Sequence, residues 1–226
     1  MQIWDIFNSP TWQKGTVIQK TIDRLLVQFE DGAQDSIDLK WVESKDIIKP
    51  NISIEVIAWD IMQIPSDWLI TAVNGWWMRW WGIDNALQRE AWMNYHNQIW
   101  TRETREDGKS YFAKWPTPQQ REKNVPNLKI NNVIFVIDDL QLNLSHIIQS
   151  GLEEAFKNWC TTVTIPAIRT WVMLWAKEKT LEDVVQQYKL GIEKFQNLHP
   201  DASMNITFVI YKNDTLLQMI QDQVIK

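Results

Sequence analysis

The spacing of hydrophobic and polar positions changes character near residue 51. Before it, apolar and polar residues alternate in short runs over 15–20, 24–30 and 36–41, and a period of two marks strands with one covered face. Asp31-Gly32 between two of these runs has the composition of a tight hairpin turn. Residues 1–50 are therefore expected to form a small, strongly bent β-barrel, with Pro50-Asn51 as the boundary to a second domain over 51–226.

From residue 52 the chain shows unbroken β-branched and apolar runs at 52–58, 69–73, 133–137, 161–165 and 206–211. Such runs suit strands buried on both faces. Between them lie helical stripes, one of Leu144, Ile147, Ile148, Leu152, Ala155 and Phe156, another of Leu181, Val184, Val185, Tyr188 and Phe195. Thr180 with Asp183 three residues on forms an N-cap signal for the second stripe, and a further helix is expected over 84–98. The stretch 101–129 is polar, holds Pro116, Pro118 and Pro126, and leaves room for one short strand at 110–114. The alternation predicts an α/β domain whose crossover helices cover a mixed, mostly parallel sheet. Ligands of such sheets bind beyond the carboxyl ends of the strands.

A hydrophobic share of 45% with 23% charged residues belongs to a soluble globular chain. The net charge of −5 argues against a surface built to wrap nucleic-acid backbones. No segment has the length and apolarity of a membrane span and no secretory leader is visible, so a folded cytoplasmic protein is expected. Cys160 stands alone and reads as a small buried hydrophobe, leaving no disulfide or zinc site. No metal or cofactor is expected. His96, His146 and His199 have no partner along the sequence and are assigned structural or surface roles. One feature is abnormal: fifteen tryptophans stand against seven glycines, whereas glycine alone usually supplies about 7% of a chain.

Three segments carry a recognisable pattern. Ile57-Ala58-Trp59-Asp60-Ile61 ends one predicted strand, and Ile70-Thr71-Ala72-Val73-Asn74 ends the next. Nine residues, Gly75-Trp76-Trp77-Met78-Arg79-Trp80-Trp81-Gly82-Ile83, then separate Asn74 from Asp84. Further on comes Thr164-Ile165-Pro166-Ala167-Ile168-Arg169-Thr170-Trp171-Val172. Over about 52–220 this order resembles the macrodomain family, with its Gly-Asp-Ile turn, strand-ending Asn, glycine-rich loop closing on Gly-Gly-Val-Asp, and Pro-Ala-Ile strand before a Thr-Gly-Val phosphate loop. The N-terminal barrel is similar to SH3 and Tudor domains.

Laid on that pattern, Trp59, Trp77, Trp81 and Trp171 occupy positions where the family has glycine. Trp76, Trp80, Trp92, Trp100, Trp115, Trp159 and Trp175 fall in turns or helix ends where glycine is natural. Reading these eleven of the fifteen as glycine leaves four tryptophans and raises the glycines from seven to eighteen, an ordinary composition. A loop around a diphosphate needs close backbone approach and often positive φ, which an indole-bearing residue opposes. The pattern is what results when a bacterial or phage gene whose UGA codons mean glycine is translated with a table in which they mean tryptophan. The competing view keeps the tryptophans as an aromatic core or a stacking surface.

The resemblance implies specific roles. Asp60, with Ile61 beside it, would receive the adenine amino group; Asn74 and Asp84 would face the distal ribose, Asn74 orienting a hydroxyl or water and Asp84 taking its proton. Gly75, Trp81, Gly82 and Ile83 would line one loop of the ligand site. Thr170, Trp171, Val172 and Met173 would supply donors to the diphosphate, and Tyr211 and Asn213 would complete the adenine side. Thr71 departs from the pattern, standing where many members have a further Asn. The implied function is binding of ADP-ribose or an ADP-ribosylated macromolecule, with hydrolysis of ADP-ribosyl linkages and binding alone both open. A protein partner for the barrel belongs to the same expectation. A nucleic-acid-associated structural role is the alternative from another class.

Overall fold

The computed structural model describes five short strands within the first fifty residues and, from Asn51 onward, all residues except 65, 76–81, 92–93, 101–105, 115–127, 171–172 and 226. Two compact units are formed, Met1–Ile52 with Gln196–Ser203, and Ser53–Phe195 with Met204–Lys226.

In the first unit β1 (Ile6–Asn8), β2 (Lys14–Lys20), β3 (Arg24–Phe29), β4 (Gln34–Asp38) and β5 (Ile47–Ile48) form a five-stranded sheet in the order β4-β3-β2-β1-β5. All its pairings are antiparallel, with a bulge between Val17 and Gln19 that bends β2. The three expected runs correspond to β2, β3 and β4, the last beginning two residues earlier than its alternation suggested. The Asp31-Gly32 turn and Trp41 lie outside the described residues.

The second sheet contains β6 (Asn51–Ala58), β7 (Ser66–Val73), β8 (Ser110–Lys114), β9 (Ile130–Ile137), β10 (Thr162–Pro166) and β11 (Ser203–Ile210). Its order is β6-β11-β10-β7-β9-β8. The pairs β10/β11, β10/β7 and β7/β9 are parallel and β8/β9 is antiparallel. Asn51 N–H donates to Ala202 O and Trp59 N–H to Ile210 O, so β6 and β11 advance together. The sheet is mixed and mostly parallel, as the alternation of runs predicted.

Period-two alternation divides the core between the sheet's faces. Leu69, Val73, Val133, Phe135 and Ile137 pack with Leu87 and Ala91 of α1 (Gly82–Ala91) and Tyr95 and Ile99 of α2 (Asn94–Trp100). Ile70 and Val136 point the other way, against Gly151 of α3 (Leu144–Lys157). On that side Phe156 meets Phe195 of α4 (Leu181–Leu198) edge-on, with ring centroids 6.0 Å apart, and Tyr188 lies 5.0 Å from Phe208 of β11. The two predicted stripes are the buried faces of α3 and α4. Thr180 and Asp183 cap α4 reciprocally: Asp183 N–H donates to Thr180 Oγ1 and Thr180 N–H to the Asp183 carboxylate.

Two elements differ from expectation. The single helix foreseen over 84–98 is two helices, because the Asn94 side chain donates to Ala91 O at 2.8 Å and closes α1 there. After β11 the chain forms α5 (Asp214–Gln223), which the runs had not suggested. Its signal is present but short: Asn213 accepts from Leu216 N–H as an N-cap, and Leu216 and Ile220 are the buried pair one turn apart.

Candidate functional site

Because β6, β7, β10 and β11 run the same way, their carboxyl ends meet at one edge of the sheet. That edge brings together the segments that begin at Asp60, Asn74, Thr170 and Tyr211. Residues 76–81 and 171–172, which include the expected site residues Trp81, Trp171 and Val172, lie outside the described residues.

Asp60 caps the 3-10 turn Ile61–Gln63, its Oδ1 accepting from Met62 N–H at 3.0 Å. Ile61 is buried in the core, and its carbonyl accepts from Ile64 N–H at 3.3 Å. Asn74 is half-buried at the end of β7, and Gly75 N–H donates to Asp139 Oδ1 at 2.7 Å. Asp139 N–H in turn donates to Asp107 Oδ1, whose other oxygen accepts from Leu142 N–H. Gly75 is thereby tied to the exit of β9, and its N–H already has an acceptor within the protein.

Gly82 opens α1 at φ 63°, a conformation that side-chain-bearing residues adopt at a cost. Ile83 packs partly against the core. Asp84, in the first turn of α1, is buried, and its carboxylate accepts from His96 Nε2 of α2. Gln88 lies at the second carboxylate oxygen, 3.5 Å away. Burial pushes the Asp84 carboxyl above its ordinary range, and the hydrogen bond and electrostatic attraction of His96 act in the opposite direction. His96 is fully buried, its ring 4.9 Å from Phe135. Burial and pairing with Asp84 agree with the structural side of the role expected from sequence, while the partner itself, twelve positions away, gives no signal along the chain.

Thr170 is half-buried and donates from Oγ1 to Ala167 O, and Met173 is exposed. Tyr211 is 60% exposed, with Lys212 Nζ 4.9 Å from its ring centroid. Asn213 uses Oδ1 to cap α5. Tyr211 thus presents an aromatic surface at the strand end, whereas Asn213 is committed to the helix. Sequence reasoning also missed Asp138, Asp139 and Glu178, whose contacts cross from one loop to another. Among the described residues no group of three or more His, Cys, Asp or Glu side chains is arranged to hold a metal ion.

Solved structures resemble this second unit. The Trypanosoma brucei macrodomain in complex with ADP matches with a TM-score of 0.59 at 17% identity, over 76% of this chain and 69% of the other. The same protein in complex with ADP-ribose matches at 0.58 and 15%, over 76% and 68%. The Oceanobacillus iheyensis macrodomain with ADP matches at 0.56 and 14%, over 75% and 88%. No family model and no curated protein matches the chain. At these identities the likeness establishes the fold: a macrodomain-like α/β structure.

Proposed function

We propose that the chain binds ADP-ribose, or an ADP-ribosylated macromolecule, at the carboxyl edge of its second sheet. The observation that carries this reading is convergence. Strand ends separated by more than a hundred residues bring the segments of Asp60, Asn74, Thr170 and Tyr211 to one edge of a macrodomain-like sheet, where open α/β sheets receive ligands. The solved structures with ADP and ADP-ribose bound support it by fold. Calorimetry on the glycine-restored chain tests it: ADP-ribose should bind and a single-stranded oligonucleotide should not, and the reverse would point to the nucleic-acid alternative.

Hydrolysis of an ADP-ribosyl linkage is the proposed further activity. Asn74 would orient a hydroxyl or water and Asp84 would accept the proton, a role that its burial favours. Binding without turnover is the second reading, favoured by the occupation of the Asp84 carboxylate by His96. Turnover of an ADP-ribosylated target by the glycine-restored chain, lost on adding Asp84→Ala, distinguishes the two.

The glycine reading of the tryptophans gains support at one place. Trp159 follows α3 at φ 60° with its side chain 92% exposed. Its N–H donates to Phe156 O and the Cys160 N–H to Ala155 O, the double bond pattern of a Schellman C-cap, where glycine is the usual residue. Trp59 and Trp175 are exposed but lack positive φ. Intact-mass measurement of the protein made in its own host tests the reading: each glycine lowers the mass by the difference between indolylmethyl and hydrogen. The domain division at 50/51, closure of the N-terminal strands into a barrel and recruitment of a protein partner by it belong to the same proposal.

A further inference from the structure

Arg169 stands at φ 56° in the turn after β10, fully enclosed although it carries a charge. Its Nε and Nη2 donate to the two carboxylate oxygens of Asp138 at 2.9 and 2.5 Å, a bidentate contact at the end of β9. Nη1 donates to Glu178 Oε1 at 2.6 Å, and Nη2 also reaches Leu142 O at 3.0 Å. The same Glu178 oxygen accepts from Leu144 N–H at the start of α3. One residue before Arg169, Ile168 O accepts from the buried Tyr188 hydroxyl of α4 at 2.7 Å.

Arg169 and Glu178 are nine positions apart and flank 170–177, the stretch that contains Thr170 and Met173. We infer that Arg169 is a positioning residue: its buried ion pair with Glu178 closes the neck of the loop proposed to hold the diphosphate, and its bidentate contact with Asp138 fixes that neck to β9. This inference rests on the ADP-ribose reading for its functional meaning.

Three features separate this arrangement from a phosphate contact and from simple stabilisation. The donors of the guanidinium are directed at Asp138, Glu178 and Leu142, so Arg169 does not itself point at a ligand. The cluster has two carboxylates for one guanidinium, and Glu178 Oε2 is buried without a hydrogen-bond partner among the described residues, a poor place for a dianion. A buried ion pair adds little stability over apolar residues of equal volume, yet its directional bonds fix geometry. The gain is therefore preorganisation, which lowers the entropy lost when the loop orders around a ligand. Burial would lower the Arg169 pKa, but Asp138 and Glu178 more than offset it, so the charge persists.

The test uses the full glycine-restored chain with Glu178→Gln, which keeps an acceptor oxygen and removes the charge, and Arg169→Lys, which keeps the charge and removes the fork. Amide hydrogen exchange should rise in the peptide covering 170–177 and stay at wild-type levels in β7 and β11. Affinity for ADP-ribose should fall about tenfold while that for adenosine, which lacks phosphate, stays within about twofold. Unchanged exchange at 170–177, or an equal rise throughout the sheet, overturns the positioning role. Equal loss for both ligands does the same. A glycine-restored chain without these substitutions that fails to bind ADP-ribose overturns the proposed function instead, and the exchange measurement still decides whether the ion pair closes the loop.

Discussion

His96 donates from Nε2 to the Asp84 carboxylate across the junction of α1 and α2, joining a fully buried imidazole to the one aspartate in the first turn of α1. The pair lies at the base of the loop that leaves β7, and burial shifts the Asp84 proton equilibrium upward despite the histidine.

That shift has a definite sign in stability. Folding favours the protonated carboxyl, so Asp84 contributes most below its unfolded pKa of about 3.9. The contribution is lost as pH rises through the higher folded value. Asp84→Asn, whose amide oxygen can still accept from His96, should therefore raise the melting temperature more at pH 8 than at pH 4. Melting curves at the two pH values check this, and a pH-independent difference would contradict it. If the chain hydrolyses an ADP-ribosyl linkage, its acid limb should lie above the range of an exposed aspartate.

Trp159→Gly should stabilise the protein by about 1 kcal/mol, because glycine occupies the left-handed C′ position without the steric cost carried by other residues. Urea unfolding of the two chains measures it. No gain, or a loss, would mean that the exposed indole makes a compensating contact.

Gly191 of α4 lies where an added Cβ would stand 2.7 Å from Ser145 O and 2.8 Å from Ile148 Cβ of α3. One obstacle is backbone, so the helices must separate to admit a methyl group. Gly191→Ala should destabilise the chain by about 1–3 kcal/mol, read as a fall in the urea midpoint.

Asp139→Ala removes the acceptor that ties Gly75 to the exit of β9. ADP-ribose affinity should fall by about five- to tenfold, since a strand-end loop that must order on binding loses affinity. Asp139→Asn keeps a carbonyl oxygen at that place and should remain near wild type. Calorimetry on both variants is the check: an equal loss in the two would show that the carboxylate's charge, not its acceptor geometry, matters, and no loss in either would show that the Gly75 contact does not shape the site.

Much of the second unit is determined locally. The apolar runs became β7, β9 and β10 because a strand covered on both faces needs no alternation; β6 departs from that expectation, lying at the sheet edge with Val56 as its buried residue, and β11 alternates over its first half. The stripe through Leu144, Ile148 and Leu152 became the buried face of α3 because helical spacing alone sets it. Thr180 and Asp183 cap α4 through contacts three residues apart. Helix breaks were less legible: whether 84–98 is one helix or two turned on the side chain of Asn94.

The strands and the principal helices were legible in the chain because they depend on near neighbours. The pairing of His96 with Asp84, of Asp139 with Gly75, and of Arg169 with Asp138 and Glu178 emerged from tertiary packing. The physical reason is common to the three. Each contact depends on elements that meet through the sheet order and helix packing, and a hydrogen bond formed in that way leaves no periodicity along the chain.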